Sequence, residues 1–151
     1  MRVLVCPTAF KESLSASKAA AALEAGILQA WPEAEVRVLP LSDGGPGLLE
    51  SVGTVGDEGL ERVPTTGPLG EPVTAGILWS RPGEVVVEAA EACGLHLAPP
   101  DVRDPLRADT AGLGIVLSHC GESGAQDVVL GLGGSATVDG GTGMALSLIH
   151  I

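Results

Sequence analysis

The chain is poor in aromatic residues: Phe10, Trp31 and Trp79 are all it has, and tyrosine is absent. Stacking surfaces for bases are therefore scarce. Positive charge is scarce too, with 8 Lys and Arg against 19 Asp and Glu and a formal net charge of −11. A nucleic-acid partner wants a basic stripe, so that class is set aside. The two lysines are Lys11 and Lys18, so a positive site for an anion has to be local. No apolar run approaches the roughly 18 residues of a membrane span, which leaves no membrane partner in view. The three cysteines, Cys6, Cys93 and Cys120, lack paired spacing. Such a scattered odd set reads as reduced thiols in the cytoplasm, not as a disulfide frame or a zinc site. Before Pro7 the apolar run is only four residues long, Val3 to Cys6, too short for a signal peptide.

What remains is rich in alanine, valine, leucine and glycine, with a mean hydropathy of +0.36. That composition suits strands buried under helices. Val3 to Cys6 reads as a first strand. Ser13 or Ser15 can cap a helix that runs to about Trp31, where Pro32 ends it; Leu23, Ile27 and Leu28 repeat on a helical period. Val36 to Leu39 reads as a second strand, and Leu48 to Val52 as a short helix. Strand–helix–strand–helix order predicts a parallel α/β sheet. From about Glu61 the pattern changes. Three short strands follow, over 60–65, 72–79 and 84–88, with turns at 67–70 and 81–83. Residues 89–93 are a short helical piece. Thr110 to His119 reads as a helix weakened by Gly112 and Gly114, and Asp127 to Leu130 as a strand.

Three loops carry the candidate chemistry. The last strand runs into GLGGSATVDGGTG, Gly131 to Gly143, with six glycines around Ser135, Thr137 and Asp139. Glycine backbone after a buried strand can approach a phosphate and aim N–H groups at it. The Asp139 carboxylate suits a metal ion or a hydroxyl proton. The segment GLGGSA also fits the GxGxxA dinucleotide pattern, so a dinucleotide-binding oxidoreductase is an alternative. A non-catalytic phosphate-binding domain is another. The P-loop pattern is absent. The second loop, PLSDGGPG, places Asp43 before Gly44 and Gly45 after the second strand. The third, PTAFKESLS, places Lys11 near a helix start, which makes an anion site. All three follow strands, and in one parallel sheet they would share an edge.

These loops, with further stretches in the same order, resemble the bacterial glycerate kinase family of the glycerate 2-kinase type. The matching stretches are FKESLSA (10–16), PLSDGG (40–45), TGPLGEPV (66–73), EAAEACGL (88–95), RDPL (103–106) and GLGGSATVDGG (131–141). The resemblance implies transfer of the ATP γ-phosphate to a hydroxyl of D-glycerate, with Mg2+, in a cleft between two α/β lobes. It also implies a chain well over twice this length, so a truncated N-terminal portion is expected, inactive alone. Thr8–Ala9, Pro46 and Val138 depart from the family pattern, which often has Asp–Ser, Glu and Asn there.

The expected fold is α/β, a parallel-sheet Rossmann-like lobe plus part of a second α/β lobe. Residues 1–62 form the first lobe and 63–145 begin the second, with antiparallel strands. Residues 146–151, LSLIHI, read as a non-native tail, because a common transposase sequencing adapter encodes that hexapeptide in one frame. Lys11, Asp43 and Asp139 are the expected catalytic residues, with Asp43 and Asp139 also holding metal. Gly44, Gly45, Gly133, Gly134, Ser135, Gly140 and Gly141 are expected to cradle phosphate. His96 reads as a packed histidine, His119 as an ordinary helix-end charge, and Glu88 and Glu91 as surface design on a short helix.

Overall fold

The computed structural model describes residues 1–10, 13–53 and 59–149. Lys11 lies outside the described residues.

The chain opens with β1 (Arg2–Val5), α1 (Ala16–Ala30) and β2 (Glu35–Val38). β1 and β2 pair in parallel as a sheet of two strands, with Val3 opposite Val36 and Val5 opposite Val38. Ser15 caps α1 by accepting from the Lys18 N–H at 3.3 Å. At the other end the Trp31 N–H reaches Ile27 O at 2.7 Å, and Pro32 cannot continue the helix. The buried face of α1 is Ala16, Ala19 and Ala20. Small side chains let the helix lie close on the sheet. Leu23 and Leu28, which repeat on a helical period, are exposed.

After α2 (Leu48–Val52) comes the second sheet: β3 (Leu60–Thr66), β4 (Pro72–Arg81), β5 (Glu84–Glu88) and, after two helices, β6 (Asp127–Gly131). Its spatial order is β3-β4-β5-β6. The β3–β4 and β4–β5 pairs are antiparallel, and β5–β6 is parallel. The first and third site loops therefore follow strands of different sheets, which corrects the expectation of one parallel sheet with one common edge. The change from one sheet to the next falls between α2 and β3, and residue 62 lies inside β3.

The helices α3 (Ala90–Cys93) and α4 (Ala111–Glu122) cross from β5 to β6, and α5 (Thr142–Ile149) packs on α4. The core lies between the second sheet and these helices: Val63, Ala75, Ile77, Val85, Val87, Cys93, Leu113, Val116 and Cys120. All three cysteines are unpaired; Cys6 is exposed and the other two are buried. Gly112 and Gly114, which weaken α4 by propensity, are placed by packing. A Cβ at Gly112 would collide with Thr66 O, and one at Gly114 would stand 2.6 Å from Met144 O. No helix among the described residues is long and apolar enough to cross a membrane.

Candidate active site

The Asp43 loop and the Gly131–Gly143 loop meet main chain to main chain. Gly133 N–H donates to Gly44 O at 2.9 Å. A Cβ at Gly131 would stand 2.6 Å from Gly44 O, and one at Gly133 would stand 2.5 Å from Gly45 Cα. Gly134, at φ +75°, packs against Pro46. Several of these glycines therefore serve loop-on-loop approach, a use that glycine density alone does not distinguish from phosphate approach.

Within the second loop, Ser42 Oγ accepts from Gly44 N–H at 3.1 Å and Asp43 Oδ1 accepts from Gly45 N–H at 3.0 Å. Such side-chain-to-backbone bonds stabilise a tight turn at a polar residue. Asp43 stays exposed. Within the Gly131–Gly143 loop, Ser135 Oγ lies 2.7 Å from Thr137 Oγ1 and accepts from Thr137 N–H at 3.1 Å. Both contacts are open to solvent. Beneath them Ala136 N–H donates to Cys93 O at 2.8 Å, which ties the loop to α3. The buried Cys93 thiol is pushed up by desolvation, so it remains a packed thiol at neutral pH.

Asp139 is differently placed. Its Oδ2 accepts from Thr110 N–H at 3.0 Å, Thr110 Oγ–H at 2.7 Å and Gly143 N–H at 3.0 Å. Its Oδ1 accepts from Gly141 N–H at 3.1 Å. Burial alone would raise this carboxyl; the bonds from Thr110, Gly143 and Gly141 outweigh it and hold the acid below its ordinary range. Four donors match the roughly four lone-pair sites of a carboxylate. This is the arrangement of a side chain that fixes the starts of α4 and α5.

Of the seven residues expected to cradle phosphate, Gly44, Gly45, Gly133 and Gly141 already donate their amides inside the loops. Gly134 offers its carbonyl to Leu95 N–H at 2.9 Å. Gly140, at φ +62°, has open space around it. Among the described residues no group of three or more His, Cys, Asp and Glu side chains is placed to hold a metal ion. Magnesium needs no such cage, because one or two carboxylates plus substrate phosphates commonly suffice. The exposed Asp43 fits that manner of binding.

Glu88 and His96 differ from their sequence reading, and Glu91 and His119 have partners that the sequence did not name. Glu88 is 4% exposed, not a surface residue. Its Oε1 accepts from Leu49 N–H at 2.9 Å, and a cavity of about 340 Å³ lies beside it, lined also by Arg62 and Glu91. Burial pushes its carboxyl up, and the charge of Glu91 adds to that. Glu91 itself accepts from Gly76 N–H at 2.9 Å. His96 is exposed, not packed. His119 meets Glu61 at 2.6 Å, and the other Glu61 oxygen accepts from Trp79 Nε1–H at 2.9 Å. These contacts join β3, β4 and α4. The dinucleotide pattern lacks its context, because α5 starts at Thr142, well after the pattern ends at Ala136.

A model of the glycerate kinase family matches residues 3–149. Among curated proteins, a glycerate kinase of Bacillus subtilis (strain 168) is 45% identical over 150 residues, covering 98% of this chain and 39% of its own. A glycerate 2-kinase of Escherichia coli (strain K12) is 41% identical over 152 residues, with the same coverage. A crystal structure of a Salmonella typhimurium LT2 protein, described as a glycerate kinase 2, superposes with a TM-score of 0.75 at 39% identity. It is matched over 98% of this chain and 40% of that one. The chain thus spans about 39% of the length of these curated relatives.

Proposed function

The chain belongs to the glycerate kinase family, and from that premise we propose that it contributes to a site where the γ-phosphate of ATP passes to a hydroxyl of D-glycerate, giving 2-phosphoglycerate. The observation that carries this reading is the Gly44–Gly133 contact, which brings the Asp43 loop against the glycine loop of Ser135 and Thr137.

Phosphoryl transfer needs charge neutralised on the moving group and a nucleophile held in line. Asp43 is assigned the substrate hydroxyl. It is exposed, and Gly45 N–H fixes one of its oxygens. Asp43 is also the carboxylate that would hold magnesium, which neutralises phosphate charge when bound. Lys11 is assigned an anionic oxygen, of phosphate or of the glycerate carboxylate. The amides around Gly134, Ser135 and Gly140 are assigned to phosphate oxygens. Gly44, Gly45, Gly133 and Gly141 shape the loops that present them. Asp139, with its oxygens already occupied, is assigned the placing of that loop and not the chemistry. Three unpaired cysteines suit work in the cytoplasm.

The test uses a version of the chain extended to the length of its relatives. ATP and D-glycerate are supplied, and ADP and 2-phosphoglycerate are followed by phosphorus NMR. Asp43→Asn is expected to lower kcat by about a hundredfold or more, the usual scale for a lost proton acceptor. A rate within threefold of the parent removes Asp43 from the mechanism, and no glycerate-dependent turnover removes the function.

A further inference from the structure

We infer that Glu88 is a positioning residue: its carboxylate, holding the first turn of α2, sets how the Asp43 loop lies on the Gly131–Ser135 loop. The inference rests on the reading that these two loops form the site.

Helix starts leave amide groups that need acceptors. Usually the residue before the helix supplies one from its side chain. Here that residue is Gly47, at φ +98°, which has no side chain and whose backbone disfavours one. The acceptor comes from elsewhere: Glu88, 39 residues along the chain, takes the Leu49 N–H at 2.9 Å. Among the described residues Glu88 is the charged side chain that is buried, at 4% exposed. Burying a carboxylate is costly unless it is hydrogen-bonded, so its place calls for a reason. Capping a helix that cannot cap itself is such a reason.

The geometry makes the cap more than local. Glu88 closes β5, directly opposite Gly131 on β6. The next residue, Ala89, donates its N–H to Gly131 O at 2.8 Å. Gly131 and Gly133 are the residues on which Gly44 rests. The stretch from Gly44 to Leu49 is thus held at two points, by main chain at Gly133 and by a carboxylate at Leu49. One point would leave it free to pivot; two fix it. Charged groups that face Glu88 come from three elements: Glu50 on α2, Arg62 on β3 and Glu91 on α3, with the Arg62 guanidinium 3.7 Å from Glu91.

The experiment measures amide hydrogen exchange by NMR in the 151-residue chain, its Glu88→Ala variant and its Glu88→Gln variant. Leu49 and Gly133 are the reporters, and β4 amides are the reference. Glu88→Ala is expected to speed exchange tenfold or more at both reporters and to leave β4 unchanged. Glu88→Gln keeps an oxygen that accepts, and is expected to return Gly133 to within threefold of the parent. Exchange at Leu49 alone, with Gly133 unmoved, overturns the inference, as does failure of Gln to rescue. Should Glu88→Ala not fold, the Gly133 amide shift is followed against pH in the parent and in Glu88→Gln. An inflection present in the parent and lost in the Gln variant supports the inference; no inflection in the parent overturns it. These readouts need no nucleotide. Coupling with no glycerate phosphorylation in the extended chain would remove the functional reading and keep the positioning.

Discussion

Thr110 gives both its backbone N–H and its hydroxyl to one oxygen of Asp139, at 3.0 and 2.7 Å, across 29 residues of chain. The same hydroxyl accepts from Met144 N–H at 2.9 Å. Two helix starts are thereby joined through one buried threonine and one carboxylate. Thr110→Val removes the hydroxyl and keeps the shape. Asp139→Ala removes the acceptor and leaves several donors unmatched. The second change is expected to destabilise by about 2–4 kcal/mol and the first by about 1–2 kcal/mol. Denaturant melts of both singles and the double are expected to show non-additivity above about 0.5 kcal/mol. Additive losses would mean the two residues act separately.

The same carboxylate makes a pH prediction. Its folded acidity is stronger than that of a free aspartate. Stability from Asp139 is therefore present above the ordinary aspartate range near pH 4 and is lost as pH falls through its folded value. Glu88 runs the other way. Its folded carboxyl is raised, so its contribution is full below the ordinary glutamate range and fades as pH rises through the folded value. Glu88→Gln is expected to gain stability relative to the parent as pH rises above the ordinary glutamate range near pH 4, measured as the shift in denaturant midpoint. A flat difference as pH rises would contradict the raised carboxyl.

Two glycine-to-alanine changes separate packing from propensity. At Gly26, inside α1, an added methyl meets nothing within 4 Å. Gly26→Ala is expected to raise stability by about 0.5–1 kcal/mol. At Gly112 the methyl would collide with Thr66 O. Gly112→Ala is expected to cost about 3 kcal/mol or more, or to prevent folding, because the opposing atom is backbone. Thermal melts decide both, and equal signs would refute the assignment.

Association is the fourth expectation. β6 lies at the edge of its sheet, and Val128 and Val129 are 43% and 47% exposed there. Leu4, Leu23, Leu132 and Val138 add further exposed apolar surface. Edge strands of this kind pair with other chains unless a charge blocks them. The 151-residue chain is expected to self-associate with rising concentration, and Val129→Lys to reduce it. Light scattering checks this, and a monomer at all concentrations in the parent refutes it.

The element pattern was legible wherever local chemistry decided it. Pro32 ends α1, the turns at 67–70 and 81–83 separate β3 to β5, and the α2 bounds follow from the loop before it. The sheet order was not legible, because nothing in the β1 or β6 sequences states which neighbour each strand takes. The glycine loops were legible as loops but not as a mutual seam. A Gly-Gly pair reads the same whether it faces a phosphate or another backbone. Glu88 looked like surface because two glutamates three residues apart on a short helix usually are; only the missing side chain at Gly47, seen with the fold in hand, explains its burial. His96 fell in an apolar run, yet the turn at Leu95–Leu97 points away from the core. Asp139 was read as a catalytic carboxylate from its neighbours, while the four donors that occupy it come partly from a helix start that no spacing links to it.

The joint between the Asp43 loop and the Gly131–Gly134 loop is made of peptide groups in direct touch. Such a joint offers almost no side chain for mutation to improve or erode. A single carbon atom added at Gly131 or Gly133 is enough to part it.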